Sequence, residues 1–131
     1  MLKLALGIIA GIVTGMIVIS VIEMIGHAIW PPVAGMDAGD MDAVRASIAA
    51  MPPAALAMIV AGWTAGAFAG ALVANLIARR ALAGWIIAGL VVIAIIVNAT
   101  MIPAPIWMPV SGIVLAVLAG WLASRIRPMP L

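Results

Sequence analysis

Long stretches without charge are the feature that most constrains what this chain can fold into. The 44 residues between Arg80 and Arg125 contain no charged side chain. About 20 consecutive apolar residues are enough to cross the hydrocarbon core of a bilayer as a helix. This stretch is therefore about two spans long, and it indicates a polypeptide that folds in lipid.

The composition agrees with a membrane protein. The chain is 68% hydrophobic and 8% charged, with a mean hydropathy of +1.39, far from the balance of a soluble domain. Its net charge of +2 comes from few cations, so it does not indicate binding to nucleic acid. Cysteine is absent and histidine occurs once. The sequence contains no H-E-x-x-H zinc motif, no phosphate-binding glycine loop and no nucleophile elbow. We therefore expect neither an enzyme nor a resident metal or cofactor.

Prolines divide the chain into four predicted membrane helices, because proline lacks an amide donor and interrupts the helical ladder. Pro31 and Pro32 end the first span, and a turn with Pro103, Pro105 and Pro109 separates the last two. The prediction is an all-α, four-transmembrane-helix bundle that forms one membrane domain over residues 1–131. The predicted segments are spans 4–30, 53–78, 81–100 and 106–125, and an outer segment 31–52 with a short interfacial helix 41–51.

The basic residues indicate the orientation of the four spans. If the helices alternate in direction, five of the six basic side chains fall on one side of the membrane and only Arg45 falls on the other. The positive-inside rule then predicts a bacterial inner-membrane protein with both termini in the cytoplasm. A cleaved signal peptide, with Lys3 in its basic region, is the alternative, but the apolar run is longer than a typical signal core.

Small residues at four-residue spacing indicate where helices pack, since close backbone approach supplies the attraction between helices in lipid. Packing within one bundle is the simplest explanation of these faces. Association with a second copy or a larger membrane complex is the alternative. The predicted packing glycines are Gly7, Gly11 and Gly15 in the first span, Gly62, Gly66 and Gly70 in the second, and Gly112 and Gly120 in the fourth.

A polar site is predicted in the outer half of the bundle. Glu23 and His27 lie one turn apart on nearly the same face of the first span, so they can touch. A carboxylate in the membrane costs about 2.5 kcal/mol or more at the bilayer centre, so Glu23 should face the bundle or be protonated. The alternating topology brings Ser20, Asn98 and Ser111 to the same outer half.

Two functions remain open for this polar site. In the first, the Glu23 and His27 pair is a structural clasp, and the protein is an interaction or accessory subunit that associates through its glycine-faced helices. In the second, the protein is a small oligomeric transporter or channel for protons, cations or a small solute, and the same pair faces its outer vestibule.

The outer segment contains three aspartates. Asp40 can cap the interfacial helix, Asp42 lies in its first turn, and Arg45 is close enough along the helix to pair with Asp42. Asp37, Asp40 and Asp42 have the spacing of part of a calcium loop, but the glycine and the distal glutamate of such a loop are missing. We therefore predict a solvated, capped surface helix and no metal site.

Four stretches of the sequence carry a resemblance. They are E-M-I-G-H, P-P-V-A-G-M-D, V-A-G-W-T-A-G-A-F-A-G and M-I-P-A-P-I-W. Over most of its length the chain resembles a group of small bacterial four-helix integral membrane proteins of unknown function. The resemblance implies the four-helix fold and no particular activity. Members of that group can carry histidine between the two prolines of the last stretch, where this chain has Ala104.

Overall fold

The computed structural model describes residues 1–31, 39–127 and 129–131, and over these ranges every regular element is a helix. Four of the helices are long and apolar enough to cross a membrane. This confirms the predicted all-α architecture and the short helix between the first two spans. The helices are α1 (Leu2–Ile29), α2 (Met41–Ala50), α3 (Pro53–Ala78), α4 (Ala81–Met101) and α5 (Trp107–Ile126).

Helix α3 is the centre of the bundle, because it packs against α1, α4 and α5. It runs antiparallel to α1: Gly7 near the start of α1 meets Ala74 and Ala78 near the end of α3, and Gly15 meets Gly66. Helices α4 and α5 are also antiparallel. One end of the bundle therefore carries α2, the end of α1 and the start of α3, and we call it the α2 end.

The turn between α3 and α4 is held by a buried amide. Arg79 adopts a left-handed conformation with φ 57°, and its N–H donates to the carbonyl of Asn75 at 2.8 Å. The Asn75 side chain is 3% exposed, and its Oδ1 accepts the N–H of Gly84 at 2.6 Å. One residue thus ties the end of α3 to the first turn of α4, which keeps these helices together opposite the α2 end.

The connection between α4 and α5 covers residues 102–106 and contains two of the three prolines predicted for this turn. Helix α5 begins at Trp107, so Pro109 lies within its first turn and not in the connecting segment. Amides in a first helical turn have no partner within the helix, so a proline there removes no hydrogen bond. Only Pro103 and Pro105 remain in the connection.

Helix α1 is held mainly through its first half. Its buried residues are Gly7, Gly11 and Gly15, and none of residues 16–29 is buried. In the same half α1 also approaches α4, because a Cβ at Gly11 would lie 3.0 Å from Ile87 Cδ1. Toward the α2 end the helix is less enclosed, and this difference between its two halves positions the candidate site.

Candidate functional site

The spacing between α1 and α3 increases toward the α2 end. A Cβ at Gly11 would lie 2.6 Å from the carbonyl oxygen of Gly70, whereas at Gly26 the nearest atom would be Met58 Cγ at 3.5 Å. Glycine therefore allows backbone contact in the first half of α1, and larger side chains keep the helices apart in the second half. The separation leaves room between α1, α3 and α4.

A cavity of about 270 Å³ occupies this room at the α2 end, and we call it the larger cavity. Glu23 and His27 line it from α1, and Asn98 lines it from α4. Trp30 and Trp63 contribute indole side chains to the same wall. Its volume is just below the ~300–1,000 Å³ of typical small-molecule pockets, so it suits a ligand smaller than a drug.

The remaining walls of the larger cavity are apolar. Thioether side chains are flexible and polarisable, so they adapt to ligands of different shape. Few polar groups among apolar walls is the usual construction of a small-molecule site. The apolar lining includes Ile22, Ile48, Met51, Met58 and Met108.

Helical geometry explains why Glu23 reaches the cavity and not the α1–α3 contact. The four-residue series of Gly7, Gly11 and Gly15 continues through Ile19 to Glu23. Each step of four residues drifts by about 40° around a helix with ~100° per residue, so Glu23 lies about 80° from Gly15. The carboxylate therefore lies beside the helix contact, on the flank that borders the cavity.

The polar side of the cavity is open. Glu23, His27 and Asn98 are all exposed. Within the described ranges no side-chain hydrogen bond and no ion pair involves Glu23 or His27, so these two side chains do not pair with each other. The Glu23 carboxylate thus lies at the open edge of the larger cavity, where a ligand or a second polypeptide can reach it.

A smaller cavity of about 230 Å³ adjoins the larger one. Trp63 and Asn98 line both cavities. Ile19, Val91 and Ile95 also line the smaller cavity, and they lie further from the α2 end than Glu23 and His27. The two cavities share Trp63 and Asn98 in their walls, and we call the two cavities together the crevice.

The two serines predicted at this site do not line either cavity. Ser20 is exposed on α1. The Ser111 hydroxyl lies 2.5 Å from the carbonyl oxygen of Trp107 and 3.2 Å from that of Met108, so it is satisfied by its own helix. The crevice therefore unites Glu23, His27 and Asn98, three of the five residues predicted for the polar site.

The outer acids serve α2. Asp40 Oδ1 accepts the N–H of Asp42 at 3.1 Å and that of Ala43 at 3.3 Å, which confirms the predicted cap. Arg45 lies 3.8 Å from Asp42, which confirms that pair. Asp37 lies outside the described residues. Over the described part of the chain, no three histidine, aspartate or glutamate side chains cluster closely enough to hold a metal ion.

All eight predicted packing glycines contact residues of this chain. A Cβ added at any of them would lie within 3.3 Å of another helix's atoms. The glycines of α1 face the small residues of α3, and those of α3 face α1 glycines or the Ile19 and Ile22 side chains. Gly112 faces Trp63, and Gly120 faces Ala88. These faces are therefore used inside the bundle, as the simplest explanation of the spacing predicts.

Trp63 is the site residue that the sequence reasoning missed. The other tryptophans lie near helix ends, where indole rings prefer the membrane interface. Trp63 lies ten residues into α3 and packs against Gly112. The position of Trp63 far from both ends of a membrane helix was the available signal, and it does not say which helix the indole faces.

Comparison of the chain with protein-family models, with curated proteins and with solved structures gave no match.

Proposed function

We propose that this multi-pass membrane protein binds a small, largely apolar solute in the crevice at its α2 end, as the binding component of a small transporter or channel. The observation that carries the proposal is the larger cavity, in which Glu23, His27 and Asn98 meet apolar walls. Ionisable residues at membrane depth are costly, and those beside a cavity typically mark a ligand or ion pathway.

The distribution of basic residues supports an outward-facing site. Lys3, Arg79, Arg80, Arg125 and Arg127 lie at the end opposite α2. By the positive-inside rule that end is cytoplasmic, so the α2 end faces the outside of a bacterial inner membrane. A solute would then enter from the outer medium or from the outer leaflet.

The crevice does not continue to the opposite end, because α1 and α3 meet at Gly15 and Gly66, where a Cβ on Gly15 would lie 3.1 Å from the Gly66 carbonyl oxygen. Transport therefore requires α1 to move on α3, or a second chain that completes a pathway. Helix α1 is suited to such a movement because its second half is little enclosed.

An accessory-subunit function is the second candidate, and the exposure of Glu23 and Asn98 favours it. Polar groups at membrane depth normally face protein or water, so a helix from another chain could cover the open side of the crevice. The glycine faces are occupied within the bundle, so this partner would contact the crevice and not the glycines. A second copy or a larger membrane complex would both satisfy the geometry.

Filling the crevice tests the proposal. Gly26 lines the larger cavity, so Gly26→Leu should occupy it, whereas a Cβ at Gly89 meets nothing within 4 Å and Gly89→Leu is the matched control. Thermal unfolding in detergent is measured with a panel of small cationic, neutral and anionic amphipathic solutes. At least one class should stabilise the wild type and Gly89→Leu by up to about 2.7 kcal/mol at a hundredfold excess over its Kd.

Gly26→Leu should lose this stabilisation while it remains folded. If no class of solute stabilises the wild type, or if Gly26→Leu responds as the control does, the proposed binding function is wrong. Mass measurement of the intact assembly in mild detergent separates the second candidate, which requires another copy or another polypeptide to remain bound.

A further inference from the structure

We infer that the ligand of the crevice is a small lipophilic monocation, held by the Glu23 carboxylate and by the indole faces of Trp30 and Trp63. This inference rests on the proposed function, which requires only a small solute of unspecified charge. It adds the chemical class of the ligand.

The distribution of charge along the bundle favours a cation at the α2 end. All four acidic residues of the chain lie between positions 23 and 42, whereas five of the six basic residues lie at the opposite end. The remaining cation, Arg45, lies 3.8 Å from Asp42, and within the described ranges no ion pair reaches Glu23. A one-sided distribution of this kind attracts cations to the cavity mouth and disfavours anions.

The aromatic lining of the larger cavity also favours a cation. Tryptophan is the side chain that attracts cations most strongly through its ring face, and the attraction grows where water is excluded. Trp30 and Trp63 line the same cavity as Glu23. A carboxylate with two indoles offers one ionic partner and two aromatic side chains, which suits a positive group that carries apolar substituents.

The lining does not suit a bare calcium or magnesium ion. Calcium and magnesium require six or more oxygen ligands, counting water. Among the described residues that line the larger cavity, only Glu23 and Asn98 supply side-chain oxygens, His27 supplies an imidazole, and most of the remaining wall is apolar. An organic cation, by contrast, gains from contact with the isoleucine and methionine side chains around it.

The test compares benzyltrimethylammonium with neopentylbenzene, in which carbon replaces the charged nitrogen, and with benzenesulfonate, which is an anion. Binding to the full chain in lipid nanodiscs is measured by equilibrium dialysis. Glu23→Gln should weaken binding of the cation at least about tenfold, equivalent to ~1.4 kcal/mol, and should change binding of the neutral isostere less than about twofold.

Two matched controls separate the site from its surroundings. Asp42→Asn removes an exposed carboxylate at the same end that lines neither cavity, and it should leave cation binding within about twofold. Trp30→Leu should weaken cation binding at least about threefold, whereas Trp107→Leu, an exposed tryptophan outside both cavities, should not.

The outcomes distinguish this inference from the proposed function. The assignment of a cationic ligand is wrong if Glu23→Gln binds the cation as tightly as the wild type does, or if Asp42→Asn loses as much cation affinity as Glu23→Gln. It is also wrong if the wild type binds the sulfonate more tightly than the cation. Each of these results leaves the binding crevice intact. Failure of every probe to bind, with no effect of Gly26→Leu, would overturn the proposed function itself.

Discussion

The contact between Gly11 and Gly70 provides the sharpest test of the packing. Gly11→Ala would place a Cβ 2.6 Å from the Gly70 carbonyl oxygen and 2.8 Å from Ala74 Cβ. Ordinary van der Waals contact begins at 3.4 Å, so α1 and α3 must separate by about 0.8 Å. Neither nearby atom belongs to a flexible side-chain end, and the strain cannot be relieved by a rotamer change.

The free energy of unfolding should fall accordingly. Overpacking by one methyl group costs about 1–3 kcal/mol in a closely packed contact. Alanine in place of glycine in a helix returns about 0.5–1 kcal/mol, so the net loss is about 0–2.5 kcal/mol. Gly89→Ala has the same helical gain without a clash, because its Cβ meets nothing within 4 Å. The two variants should therefore differ by about 1–3 kcal/mol.

Reversible unfolding in mixed micelles of mild detergent and dodecyl sulfate, followed by circular dichroism, measures this difference. Gly11→Ala should unfold at a lower fraction of dodecyl sulfate than the wild type, and Gly89→Ala at the same or a higher fraction. Equal stability of Gly11→Ala and Gly89→Ala would refute the close backbone contact between α1 and α3.

Three further predictions concern the rest of the chain. Asp40→Ala should weaken α2 by about 0.5–2 kcal/mol, seen as faster amide hydrogen exchange at Asp42 and Ala43 without a change in global unfolding. Asn75→Leu should lower the free energy of unfolding by about 1–3 kcal/mol, because the N–H of Gly84, which donates to Asn75 Oδ1, would be buried without a partner. Since the chain has no cysteine, single cysteines report orientation cleanly: Ala46→Cys should be labelled by an impermeant maleimide from outside, and Leu131→Cys only after permeabilisation.

The sequence predicted the spans well because length and the absence of charge decide whether a helix can lie in lipid. The cap at Asp40 and the pair of Asp42 with Arg45 were also predictable, since both depend on neighbours along one helix. Pro109 was assigned to the turn before α5 because a proline is equally compatible with a turn and with a first helical turn.

The orientation of Glu23 was harder to predict, because apolar residues surround α1 and no contrast in polarity marks its inner face. Positions four residues apart drift by about 40° around a helix at each step. Extending the drift from Gly15 to Glu23 would have placed the carboxylate beside the helix contact. The wall formed by Trp63 depends on how α3 meets α5, which no pattern within one helix specifies.

Anchoring of α1 through Gly7, Gly11 and Gly15 has a consequence for the selectivity of any solute site beside its second half. Bending residues 16–29 of α1 disturbs few buried contacts, whereas displacing the whole helix breaks the contacts of its three buried glycines with α3. The space can therefore enlarge or shrink at low free-energy cost. A pocket with one movable wall accepts ligands of different sizes, and it discriminates between them by their charge more than by their shape.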